Sequence, residues 1–444
     1  MQIDMSTGEQ VMQKSRTIVP LAFAVAVALA FGGCASGTDE PDTETAGTTA
    51  AAEKSAGSES PDEDDTGAGH GAVEGAEEVA EPQLHLVSID GDGAVGMVDL
   101  LDGTQSELGG IDPPSAVTSD GRYLFVETAM GVEIVDSGVW TWDHVDHFHF
   151  YRTAPQLLGP VPGSGTVVVA TSANATTGGT GLFFPESGEA VLLDNQALSR
   201  GRVEELFRVE TDPHEGLTAP LAEGALVTSV DDAGAVTEVL YHDADGTPVD
   251  GVSAPCPDAT GTITSRVGVV VGCADGAVLA TADGGEPTLE HIRYPEGTDA
   301  PPATDFRNRK GRPTAAALAG DTGFWLLDTR EKNWQYVPTD QPLLQVSASD
   351  DADEHVVALD GEGRIRVYSG EDGTELAASE PLLAKAVADP EMLAGVDLVV
   401  DRERAYVNDP ATGVVHEIDY RGDVRVARSL ETPTAPDFFS EAGR

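Results

Sequence analysis

The sequence predicts an all-β protein folded as a β-propeller, with eight blades preferred and seven next. Three observations predict it. From Leu84 onward, short apolar runs alternate with tight turns, as in LHLVSIDGDGAVGMVDLLDG, RYLFVETAMGVEIVDSG and HVVALDGEGRIRVYSGEDGTELA. The theme of apolar strand, Asp-x-Gly, apolar strand recurs about every 40–45 residues, the length of a propeller blade. Helical periodicity is almost absent, with PEMLAGVDLV the one hint of a helical turn. Dividing the repetitive body by its period gives about eight units. Radial closure suits such short strands because it leaves only short, protected edges.

The N-terminus reads as an export signal. Lys14 and Arg16 precede the apolar run TIVPLAFAVAVALAFGG, which ends at Cys34. That run is too short to serve comfortably as a permanent membrane span. A positive region, a short apolar core and small residues before a cysteine fit a lipoprotein signal over residues 1–33, with Cys34 as the lipid acceptor. A plain secretory signal with an incidental cysteine is the alternative, and both export the chain. The expected location is extracytoplasmic, lipid-anchored to the outer face of the cell membrane.

Residues 34–82 contain SPDEDDTGAG and EGAEEVAEP and show no apolar periodicity. Such a composition cannot bury enough surface to offset its ordering entropy, so a disordered acidic tether is expected. The propeller then occupies residues 83–435, and residues 436–444 are expected to be a disordered tail.

Acidic residues number 77 against 25 basic ones, a formal net charge of −52. That field repels nucleic acid and anionic headgroups and attracts cations. A salt-tolerant source would produce the same composition. No nucleic-acid partner and a monomeric state are expected. Beyond Cys34, only Cys256 and Cys273 remain. A lone pair in an oxidising compartment usually forms a disulfide; two buried free thiols are the alternative.

The segment TWDHVDHFHFYRT concentrates three of the ten histidines with two aspartates. Taken as one strand from Asp143 to Tyr151, it places Asp143, His147 and His149 on one face and Phe148 and Phe150 on the other. The phenylalanines would seek the core, aiming His147 and His149 at the channel or a cleft. Imidazoles at i and i+2 can chelate one ion, and imidazole with carboxylate suits Zn²⁺, with Cu²⁺ and Ni²⁺ also possible guests. His144 joins if the strand begins after it. Asp143 or Asp146 can orient a ring. His214, in the turn DPHEGLTAPL, is the candidate to complete the set. A structural or incidental histidine cluster is the competing reading.

Together DHVDHFHFYR, DPHEGLTAPL, the cysteine pair and IRVYSGEDGTELAAS resemble the AztD-type zinc metallochaperones over the chain from about Leu84 onward. That family consists of exported β-propellers that hand Zn²⁺ to the solute-binding protein of a zinc ABC transporter. The resemblance implies that His144, His147, His149 and His214 are zinc ligands. Glu215 stands where the family has a second histidine and becomes a possible oxygen ligand. Thr260 stands before Gly261 where the family often has a histidine.

The expected function is a lipid-anchored zinc metallochaperone serving a zinc ABC transporter. The alternative is an envelope propeller that binds protein partners and has lost its metal. Catalysis is not expected: there is no nucleophile elbow, no haem-attachment motif and no phosphate loop. Acidic turns such as YHDADGTPVDG lack the EF-hand pattern and read as turn chemistry.

Overall fold

The computed structural model describes residues 71–143 and 147–444. The predicted signal, Cys34 and residues 35–70 of the tether lie outside the described residues. Among the described residues there are eight four-stranded antiparallel sheets, one three-stranded sheet and two short helices. Six of the four-stranded sheets are formed by four consecutive strands. Strand interiors carry Val, Leu, Ile and Ala, and Asp-Gly and Gly-rich turns reverse the chain between them.

Apolar clusters lie between successive sheets all the way round. Tyr123 and Phe125 meet Leu182 and Phe184 between the second and third. Leu226 and Val239 meet Val269 and Val271 between the fourth and fifth. Tyr406 and Val415 of the eighth meet Leu86 and Phe439 of the first. The all-β, propeller-type architecture read from the sequence is therefore present.

Two boundaries differ from the sequence reading. Residues 436–444 are not a loose tail. Strand Phe438–Ala442 pairs antiparallel with His85–Ile89, Leu86 facing Glu441, so the end of the chain completes the first sheet. Phe439 is buried there, which supplies the ordering energy that composition alone did not suggest. The tether also ends earlier than residue 82: Glu77–Val79 forms a strand on Phe148–Arg152.

The histidine segment is an insertion. The second sheet runs Gln156–Pro162, Gly131–Asp136, Tyr123–Thr128, Pro114–Ser119, and residues 139–152 leave it between its third and fourth strands in sequence. They form an antiparallel hairpin of Val139–Asp143 and Phe148–Arg152, with Asp143 opposite Phe148. The single strand expected from Asp143 to Tyr151 is thus two strands. Alternation could not reveal this, because the intervening sequence His144, Val145, Asp146, His147 carries no Gly, Pro or Asn to signal a turn.

Candidate metal centre

The hairpin is held from beneath by a column of rings. Arg122 makes a bidentate pair with Asp136, at 2.9 and 2.8 Å, inside the second sheet. Its guanidinium carbon lies 3.9 Å from the centroid of Trp140. Trp140 stacks on Tyr151 at 5.3 Å, and Tyr151 stacks on His149 at 6.3 Å. Trp140 Nε1 also donates to the Gly71 carbonyl at 3.0 Å. Burial, reinforced by the nearby Glu78 charge, raises the Tyr151 phenol above its ordinary pKa, so it stays neutral and packs as an aromatic.

Two further contacts fasten the hairpin to turns on the ring of sheets. Thr141 Oγ1 donates to the Gly443 carbonyl at 2.6 Å. Arg266 Nη1 donates to Asp143 Oδ2 at 3.1 Å. The Asp143 carboxylate therefore faces a cation of the fifth sheet.

His147 and His149 come together. Their Nε2 atoms are 2.9 Å apart, with ring centroids at 4.7 Å and planes inclined by 63°. His149 Nδ1 lies 2.7 Å from Glu78 Oε1. An ionised carboxylate only accepts, so Nδ1 carries the proton and Nε2 of His149 presents its lone pair toward His147. His147 Nε2–H then donates to it. Two nitrogens bound tetrahedrally to zinc at about 2.05 Å stand about 3.3 Å apart, so a few tenths of an ångström of opening, with the His147 proton moved from Nε2 to Nδ1 to free the lone pair, would admit the ion. A carboxylate on the far nitrogen is the usual orienting partner of a ligating imidazole. The residues present fit a divalent cation as far as two nitrogen donors and one orienting carboxylate.

His214 is not placed with this pair by any hydrogen bond or ion pair among the described residues. Its Nδ1 lies 2.6 Å from the Asp212 carbonyl and its Nε2 2.8 Å from Thr228 Oγ1. The ring is buried and packs edge-on against Phe183 at 4.7 Å. Both nitrogens are engaged in holding a turn against the fourth sheet. Glu215 beside it is exposed. His144 and Asp146 lie outside the described residues. Among the described residues, no group of three or more His, Cys, Asp or Glu is arranged to hold a metal ion.

The phenylalanines depart from expectation. Phe148 is 49% exposed, whereas Tyr151 on the histidine face is buried. The hairpin turns its imidazole face toward Trp140 and the N-terminal strand, and its phenylalanine face outward. Glu78 was not foreseen, since the surrounding EGAEEVAEP has the composition of a solvated tether and no local signal separates Glu78 from its neighbours. Cys256 and Cys273 are joined in a disulfide with Cα atoms 5.0 Å apart.

No protein-family model matches the chain, and no curated relative does. Among solved structures, the chain is similar to AztD from Citrobacter koseri, with a TM-score of 0.67 and 19% identity, covering 82% of this chain and 99% of that one. It is equally similar to the apo form of that protein, with a TM-score of 0.67 and 18% identity over the same shares. The chain is thus AztD-like in fold over nearly the whole length of that protein, matching in architecture the resemblance drawn from its motifs.

Proposed function

We propose that the protein is an extracytoplasmic zinc carrier, anchored by lipid at Cys34, that captures Zn²⁺ at His147 and His149 and passes it to the solute-binding protein of a zinc ABC transporter. In this reading each four-stranded sheet is one blade of an eight-bladed propeller. The observation that carries the reading is the convergence of the two Nε2 atoms at 2.9 Å with Glu78 on the outer nitrogen of His149. A two-nitrogen site completed by exchangeable ligands suits a carrier, because the recipient's donors can enter before the last bond breaks. The role is transfer rather than catalysis.

A second reading keeps the propeller as an envelope interaction protein without metal. It is favoured by the absence of a three-donor group among the described residues and by the engagement of both His214 nitrogens. Competition between the purified, untagged protein and a chromophoric chelator decides between them. The carrier reading expects stoichiometric Zn²⁺ binding that the double variant His147→Ala, His149→Ala loses. Equal zinc uptake by wild type and double variant, or none by either, leaves the interaction protein.

A further inference from the structure

The axis of the ring encloses a cavity of about 350 Å³ lined by four cations, Arg307, Arg309, Lys310 and Arg444, and four carboxylates, Asp120, Asp305, Asp397 and Glu441. The segment RNRKGR, residues 307–312, holds four of the 25 basic residues of a chain with 77 acidic ones. With carboxylates in threefold excess, every cation here should find one. Arg307 does, pairing with Asp305 and Asp397. Arg444 pairs with Asp401 and Glu441.

Arg309, Lys310 and Arg312 form no ion pair among the described residues. Arg309 Nη2 donates to the Asp350 carbonyl at 2.9 Å and Lys310 Nζ to the main-chain oxygen of Arg444 at 2.9 Å. Arg309 is 9% exposed, and its Nε, like that of Arg312, is buried with no hydrogen-bond partner. A buried cation without an opposite charge is costly.

The segment is held in place for this. Asn308 bridges to Ala348 of the seventh sheet, and Arg309 N donates to the Ala348 carbonyl at 2.8 Å. Asn308 Nδ2 caps the turn through the Arg312 carbonyl at 3.0 Å. Asp305 and Asp350, which flank these contacts, both adopt left-handed backbone, with φ of 51° and 46°. Non-glycine residues in that region persist where the surrounding structure demands it.

We propose that Arg309 and Lys310 form an axial binding site for a small oxyanion, phosphate or a compact polycarboxylate, with Arg312 adding positive potential behind Arg309. The anion supplies an opposite charge in direct contact, where Asp350 and Asp401 act on Arg309 and Asp120 on Lys310 without forming an ion pair. Desolvation and the neighbouring Arg312 charge lower the Arg309 pKa against the opposing charges of Asp401 and Asp350, and burial lowers that of Lys310 against the opposing charge of Asp120. Burial raises the pKa of Asp120 and Glu441, against the opposing charges of Lys310 on Asp120 and Arg444 on Glu441.

The test is isothermal titration of metal-free full-length protein with sodium phosphate and, separately, sodium citrate, each at constant ionic strength set with sodium chloride. Saturable one-site binding of either anion is expected. It should weaken at least tenfold in Arg309→Gln, Lys310→Gln and persist in His147→Ala, His149→Ala. Phosphate-only binding assigns a phosphoryl ligand, and citrate-only binding a carboxylate one. Neither anion binding wild type, or binding unaltered in a folded Arg309→Gln, Lys310→Gln protein, overturns the proposal. Should that variant fail to fold, Arg309→Lys with Lys310→Arg keeps the charge and must retain binding.

Discussion

Glu78 Oε1 accepts a 2.7 Å hydrogen bond from Nδ1 of His149, 71 residues further along the chain. The contact exists because strand Glu77–Val79 pairs with Phe148–Arg152, with Glu78 opposite Tyr151. A carboxylate in that position fixes the tautomer and raises the basicity of the other ring nitrogen. Glu78→Gln should therefore weaken zinc binding by about tenfold while leaving both imidazoles in place. Chelator competition on wild type and variant reads this directly, and unchanged affinity would remove Glu78 from the site.

His214 gives the opposite expectation. Its ring bridges the Asp212 carbonyl and Thr228 Oγ1 in a buried turn. His214→Ala deletes both bonds and leaves Thr228 Oγ1 with only its main-chain partners at Leu217. The expected cost is about 1–3 kcal/mol of stability, with zinc affinity unaltered. Denaturant midpoints and chelator competition on the same preparation separate the two effects. A zinc defect without a stability defect would restore His214 as a ligand.

How much of this was legible follows from which forces are local. Alternation and turn residues report strands directly, so LHLVSI and HVVALD were readable as sheet. The adjacency of His147 and His149 was also readable, since one intervening residue keeps their rings on the same side. The hairpin was not, because the residues between Asp143 and Phe148 are compatible with either conformation. Glu78 and Phe439 were hidden for another reason: their order comes from partners 71 and about 350 residues away, and no local pattern encodes a strand that only pairing creates. The unpaired cations of residues 307–312 became meaningful only once their neighbours were known.

The Cys256–Cys273 disulfide spans 17 residues and links the end of the fourth sheet to strand Val269–Cys273 of the fifth. Both residues are fully buried. Replacing both with serine should cost about 3 kcal/mol by loss of the loop constraint, with further loss from burying two hydroxyls. The expected readout is a lower Tm for the variant and for wild type unfolded in reductant, with zinc stoichiometry retained. Equal Tm values with and without reductant would mean that the pair is not bonded in solution.

Asp351 supplies the pH dependence. Burial opposes its ionisation, yet hydrogen bonds from the His355 N–H at 3.0 Å and ring Nδ1 at 2.8 Å hold its pKa below the usual carboxylate value. A carboxylate whose folded pKa is depressed stabilises the fold at every pH above its unfolded pKa of about 3.9. That contribution disappears as pH falls through the folded value. Asp351→Asn keeps one acceptor oxygen and loses the charge, so it should cost about 1–3 kcal/mol at neutral pH. The gap between wild type and variant should narrow below about pH 3.9. Urea midpoints measured at pH 7, 5 and 3.5 test this, and a gap that stays constant over the three would show that His355 does not hold Asp351 in its charged form.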